Sequence, residues 1–207
     1  VSDVTEVNRP ITVAVMGTHS SGKSTFLGKL AAELRRRRIQ VATVADLGEE
    51  AMRIGLPILS RHTWASTLWI ITRGISNEIE AWSNADVVLI DRGVPDALGY
   101  YEAALEYRGV LPDPDKIAPL EQLVSAHSCH YDLMLRTVLN PQLPLGDNKP
   151  RDKDLTFRAL ADAHIEKVLG RLNVEHTLVT SETRDHAFYN ALTFIDNRIK
   201  QPRTGRQ

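Results

Sequence analysis

Ile11-Thr-Val-Ala-Val-Met16-Gly17-Thr18-His19-Ser20-Ser21-Gly22-Lys23-Ser24-Thr25 decides the fold of this chain. It fits the pattern Gly, four residues, Gly-Lys-Ser/Thr. An apolar, β-like run (residues 11–16) precedes the loop and a helical run (26–37) follows it. In that order, backbone N–H groups of the loop turn inward and hold a polyphosphate at the N-terminus of the helix. Gly17 and Gly22 supply backbone angles that other residues resist. Thr18, His19, Ser20 and Ser21 complete the cradle, and Thr25 closes it on the helical side. Lys23 brings a mobile positive charge to the β- and γ-phosphates, and the Ser24 hydroxyl is the expected Mg²⁺ ligand. The flanking strand and helix favour this reading over a Gly/Ser-rich turn that merely caps a helix. His19 is expected to point outward to solvent.

A chain of 207 residues holds one substantial α/β domain, spanning residues 1–207 with no separating linker. Its 43% hydrophobic and 25% charged residues are those of an ordinary globular protein. A formal net charge of -1 argues against a general nucleic-acid surface. No apolar run is long enough to cross a membrane, and residues 1–10 lack the apolar core of a signal peptide. The lone Cys129 excludes an internal disulfide and suits a reducing, cytoplasmic setting. Residues 201–207 read as a frayed, disordered tail.

Strand and helix signals alternate, which predicts a mostly parallel sheet with helices on both faces. Strands are expected at 11–16, 40–44, 87–90, 131–135 and 174–179. Helices are expected at 23–37, 64–82, 95–107, 114–127, 155–172 and 183–199. In the first helix Phe26, Leu27, Leu30, Ala31 and Leu34 face the core, and Arg35 to Arg38 complement the dipole at its end. In the helix at 64–82, Trp64, Leu68, Ile71, Ile75, Ile79 and Trp82 form one stripe, predicted to be core. Trp69 lies off it as a partly exposed packing residue.

Asp91 ends an apolar strand at the edge of the sheet where ligands gather in open α/β folds. A carboxylate there can hold Mg²⁺ directly or through water, completing the site begun by Ser24. Arg92 beside it can bind an acceptor or offset developing charge. Arg151 and Arg158 are seven residues apart and share a face if the stretch is helical. With the polar, proline-bearing segment before them they read as an Arg-bearing lid at about 140–158. Asp46, Glu49, Glu50 and Arg53 follow the second strand. A carboxylate in this group can accept a hydroxyl proton, and Glu50 can equally pair with Arg53 on a helix surface. His127, Cys129 and His130 lack a fourth partner at recognisable spacing and make a poor zinc site. Asn148-Lys-Pro-Arg151 lacks the final Asp of a guanine-reading motif, so ATP is expected over GTP.

With these residues in place the chain resembles the P-loop nucleoside and nucleotide kinases, most closely the ribosylnicotinamide-kinase-like branch, often described only as AAA-domain ATPases. The resemblance rests on the loop from Gly17 to Thr25, Glu50-x-x-Arg53, the strand ending in Asp91-Arg92-Gly93, and Arg151/Arg158. It implies a three-layer α/β/α sandwich around a five-stranded parallel sheet of order 2-3-1-4-5. It implies ATP and Mg²⁺ as cofactors and phosphate transfer to a small-molecule acceptor hydroxyl. Lys23 and Ser24 would hold phosphate and metal. Asp91 would act at the metal or as base, Arg92 near the acceptor, and Arg151 and Arg158 on the lid. Neither a membrane nor a nucleic-acid partner is expected, and a homodimer stays open. The segments 111–131 and 140–150 match no substrate motif, which leaves the acceptor open too. The competing expectation is a nucleotide-dependent switch with slow hydrolysis. A cavity for a second ligand facing the γ-phosphate position would separate the two, because a switch needs none.

Overall fold

The computed structural model describes residues 7–139 and 154–201. Five parallel strands form one sheet: β1 (Ile11–Met16), β2 (Val41–Val44), β3 (Val87–Asp91), β4 (Leu133–Thr137) and β5 (Thr177–Val179), in the order β2-β3-β1-β4-β5. The helices are α1 (Lys23–Arg36), α2 (Gly48–Arg53), α3 (Trp64–Trp82), α4 (Val94–Tyr107), α5 (Pro114–Ser128), α6 (Leu155–Arg171) and α7 (Arg184–Lys200), with a 3₁₀ turn at Leu59–Arg61. This is the five-stranded, 2-3-1-4-5 sandwich expected from the sequence.

The alternation of side chains along β1 builds two cores. Ile11, Val13 and Val15 point to α1 and α7, where Phe26, Leu30, Leu34 and Ile195 cover them. Ala14 and Met16 point the other way, to Tyr100 and Ala104 of α4 and to Phe157 and Ile165 of α6. A strand buried on both faces reads as a continuous apolar run, as β1 and β3 do. The register sets Val15 opposite Asp91, so the metal-candidate carboxylate stands beside the start of the loop.

Element ends and one helix face depart from the sequence reading. β4 starts at Leu133, not Tyr131, and ends at Thr137. This frees Tyr131 for a side-chain network and places Thr137 under the loop. The predicted stripe on α3 is only in part its packing face: Leu68, Ile71, Ile75 and Trp82 pack into the core, while Trp64 is 38% and Ile79 47% exposed. Ser66, Thr67, Gly74 and Glu78 are buried beside Ile71. The helix is rotated because partners satisfy its polar side. Glu78 contacts His127 Nε2 at 2.7 Å and accepts from the Tyr131 hydroxyl at 3.0 Å. A hydrogen-bonded carboxylate can be buried where an unpaired one cannot.

Candidate active site

The loop between β1 and α1 is shaped by left-handed backbone. Gly17, Ser20 and Gly22 have φ of 127°, 59° and 83°, a sequence of angles that aims N–H groups into one concavity. A Cβ on Gly17 would stand 2.6 Å from the Thr137 carbonyl oxygen, and one on Gly22 would run into the Arg184 guanidinium. Gly22 is the N-cap of α1. It offers no side-chain cap, and the first turn holds no acidic residue. The helix N-terminus is thereby kept for an anion.

Four side chains brace the loop from outside. Arg158, 1% exposed on α6, donates to the carbonyls of His19 and Ser20 at 3.1 Å each. Arg184 donates to the Ser21 carbonyl at 2.9 Å. Thr137 donates to the Met16 carbonyl at 2.9 Å and lies 2.6 Å from Ser21 Oγ. The Tyr100 hydroxyl accepts from the His19 N–H and contacts His19 Nδ1, both at 3.0 Å. His19 is therefore buried at 5% exposure rather than turned to solvent. The loop leans on α4, and the imidazole is part of that contact. Arg158, expected on a lid, is fixed in the first turn of α6. Arg151 and residues 140–153 of the expected lid lie outside the described residues, as do residues 1–6 and 202–207.

Inside the cradle Lys23 donates to the Thr18 carbonyl at 2.6 Å. Burial, with Arg92 nearby, pulls its ammonium down to about 7, against the opposing pull of Asp91, Asp96 and Asp46. Ser24 donates to Asp91 Oδ2 at 2.5 Å. The other oxygen, Asp91 Oδ1, is buried with no hydrogen-bond partner among the described residues. A hydroxyl and a carboxylate with one spare buried oxygen form the hard-oxygen donor set that Mg²⁺ takes, so the residues present fit that ion.

Arg92 sits at φ 77°, the strained left-handed backbone that recurs at functional positions. Its side chain gathers the site. Nε donates to Asp46 Oδ2 at 2.7 Å, one terminal nitrogen donates to the Gly17 carbonyl at 3.0 Å and reaches Asp96 at 3.4 Å, and the guanidinium lies 4.9 Å from the Tyr100 ring centroid. Asp96 accepts from the Gly17 N–H at 3.1 Å, and burial raises it to about 6 although Arg92 and Lys23 oppose the rise. Burial also pushes Asp46 up, but Arg92 and the Gly48 N–H outweigh it and hold the carboxyl near 2.

Beside the loop a cleft encloses about 960 Å³ of non-protein space, its mouth included. Asp46, Arg92, Asp96 and Tyr100 line it, with His62 and Glu78 farther along and apolar wall from Leu47, Ile58 and Ile70. Glu50 is not in the lining. It lies 3.7 Å from Arg73 in a half-exposed ion pair, because the short helix α2 turns it away from the cleft. The carboxylates that line the cleft from this segment are Asp46 and Glu49, and Asp46 is the one bonded to Arg92. Asp96 and Tyr100 were not singled out in the sequence, yet they lie four apart on α4 and so share one face of the helix that follows Arg92. Nothing in the sequence marked His62. Among the described residues no group of three or more His, Cys, Asp or Glu side chains placed to hold a metal occurs.

The fold and loop define a P-loop kinase-like α/β protein. The family described as "AAA domain" matches residues 12–186, and the chain belongs to that family. Among solved structures it is similar to the NadR protein in complex with NR, at a TM-score of 0.65 and 18% identity, covering 90% of this chain and 52% of that one. It is also similar to the deoxyadenosine kinase of M. mycoides with bound dATP, at 0.62 and 12%, covering 88% of this chain and 99% of that one. Likenesses at this identity concern the fold. A curated relative, the signal recognition particle 54 kDa protein of Pyrobaculum islandicum, is 30% identical over 120 residues. That match covers 52% of this chain, and the chain spans only 27% of the relative. No helix among the described residues is long and apolar enough to cross a membrane.

Proposed function

We propose that this chain is an ATP- and Mg²⁺-dependent phosphotransferase that moves the γ-phosphate to a hydroxyl of a small, nucleoside-like acceptor. The observation that carries this reading is the cleft beside the loop, reached by Arg92 and Asp46 and separate from the phosphate cradle. A switch module needs no second-ligand cleft there. The neighbours include a deoxyadenosine kinase, which agrees with it.

The acceptor enters beside Arg92. Its hydroxyl oxygen attacks the γ-phosphorus in line, the bond to the β–γ bridging oxygen breaks, and ADP departs. Lys23, the loop N–H groups and Arg92 offset the charge on the transferring group, which is most of what such a loose transition state asks of a protein. Ser24 and Asp91 would hold Mg²⁺, which when bound neutralises phosphate charge. Asp46 takes the hydroxyl's hydrogen bond and then its proton. It lies beside Arg92, where the acceptor enters, and is more accessible than Asp96, at 33% side-chain exposure against 1%. Its low basicity is tolerable because the proton leaves late in a loose transfer. Arg151 would add charge from the lid side, while Arg158 secures the loop.

The charges of the cleft argue for an acceptor without phosphate. Among the described residues its lining has one Arg or Lys, Arg92, already bonded to Asp46 and Gly17, against the carboxylates of Asp46, Glu49, Glu78 and Asp96. A phosphomonoester would meet repulsion. Incubation with ATP·Mg²⁺ and a panel of nucleosides, nucleoside monophosphates and pyridine ribosides tests this. Acceptor-dependent ADP release is expected with nucleosides and weak with monophosphates. Nucleotide-dependent binding of a protein partner, with no acceptor effect across the panel, would replace the kinase by the switch.

A further inference from the structure

Among the buried polar groups of the cleft that the transfer step does not use, His62 lies away from the phosphate loop and its hydrogen-bond network. His62 is 5% exposed and lines the cleft wall. Neither of its ring nitrogens has a hydrogen-bond partner among the described residues. An imidazole buried in this way gives up the hydration of its polar atoms with little return from the fold beyond the Leu59 carbonyl.

The surroundings hold the His62 backbone firmly. The His62 N–H donates to the Leu59 carbonyl at 3.0 Å. Arg108, at the end of α4, donates to the carbonyls of Ser60 at 2.6 Å and His62 at 2.8 Å. Leu59 takes the left-handed backbone, φ 58°, that bulky residues avoid. The imidazole lies 5.8 Å from the Tyr100 ring at an interplanar angle of 36°, and that same ring carries the Arg92 guanidinium. His62 therefore stands on one wall with the transfer machinery. Burial, helped by Arg92 and Arg108, lowers its ionisation to about 4 although the Leu59 carbonyl opposes this. At neutral pH it is an uncharged ring with one donor and one acceptor nitrogen.

We propose that His62 is the specificity residue of the cleft, hydrogen-bonding a polar group of an uncharged, nucleoside-like acceptor and so selecting and orienting it. This rests on the kinase reading above. If the ring served packing alone, an apolar ring of similar size would do as well without the desolvation cost.

The test compares wild type with His62→Phe and His62→Gln. Steady-state phosphorylation is measured on nucleosides that each lack one ribose hydroxyl or one polar group of the base. ATP affinity and melting temperature are measured alongside. His62→Phe is expected to raise acceptor KM about tenfold, the loss of one hydrogen bond, with a smaller change in kcat. ATP affinity is expected to hold and the melting temperature to stay or rise. Gln should recover part of the loss. The analogue whose KM no longer responds to His62→Phe identifies the group that is read. Unchanged KM across the panel in His62→Phe overturns the role of His62 and leaves the kinase reading standing. A joint fall in melting temperature and ATP affinity also overturns it, since that marks a structural ring. A wild type that phosphorylates no member of the panel overturns both.

Discussion

Lys23 carries a buried ammonium against a carbonyl, with burial and Arg92 drawing its pKa down to about 7. A polyphosphate in the cradle supplies the missing negative charge and raises that pKa again. The sign follows: near pH 8 the free protein has lost much of this proton, so nucleotide binding takes one up. Calorimetry of ATP·Mg²⁺ binding at pH 8, in buffers of different ionisation enthalpy, should show proton uptake that Lys23→Ala abolishes. The same variant should lose turnover by about 10²–10³-fold. Asp91 makes a second case, with one oxygen on Ser24 and the other unpartnered among the described residues. Asp91→Asn is expected to cut Mg²⁺-dependent turnover about 10–100-fold while nucleotide binding in chelator changes little. Equal loss of both would make the carboxylate a structural group. Asp91 could be read from the sequence because its strand ends there. Asp46 could not be chosen over Glu50 without knowing which way the short helix α2 turns.

The loop 17–22 shows how much one element can hide. Its phosphate-binding role follows from spacing alone, but its rigidity comes from elsewhere in the chain, through Tyr100, Thr137, Arg158 and Arg184. The two glycines should respond differently. Gly17→Ala meets backbone of β4 at φ 127° and should cost about 2–3 kcal/mol. Gly22→Ala meets only the end of the Arg184 side chain, which can swing aside, and should cost about 1 kcal/mol. Urea titration of both variants measures the difference, and equal losses would mean that the Thr137 contact yields. Helix α3 teaches the reverse lesson. Its apolar stripe was plain in the sequence, yet Gly74 and Glu78 face inward and Trp64 and Ile79 outward. Periodicity counts apolar residues and cannot count the hydrogen bonds that let a glutamate be buried.

Across the whole molecule, β1 at the middle of the sheet puts the loop at the meeting point of both cores. Arg92 and Tyr100 then join the phosphate cradle to the cleft. Anything that binds the folded state alone raises stability by mass action, about 2.7 kcal/mol at a hundredfold excess over Kd. For a chain of this size that shifts the melting temperature by about 5–10 °C. ATP with Mg²⁺ should produce such a shift in a thermal melt, and chelator should remove most of it. A melt insensitive to both would count against the Ser24–Asp91 metal site.

The sequence by itself determined the order of the five strands and of the six longer helices, the glycine loop with its polyphosphate-binding pattern and the Asp91-Arg92 step beside it. These depend on local spacing and on the backbone demands of glycine, which the chain carries wherever it folds. Only the tertiary structure decided that Asp46 and not Glu50 faces the cleft, that His19 and Arg158 are buried in the loop's support, and that His62 stands on the cleft wall with no hydrogen bond of normal geometry to its ring among the described residues. Those outcomes depend on contacts between residues tens of positions apart, whose energies exist only once the helices have packed.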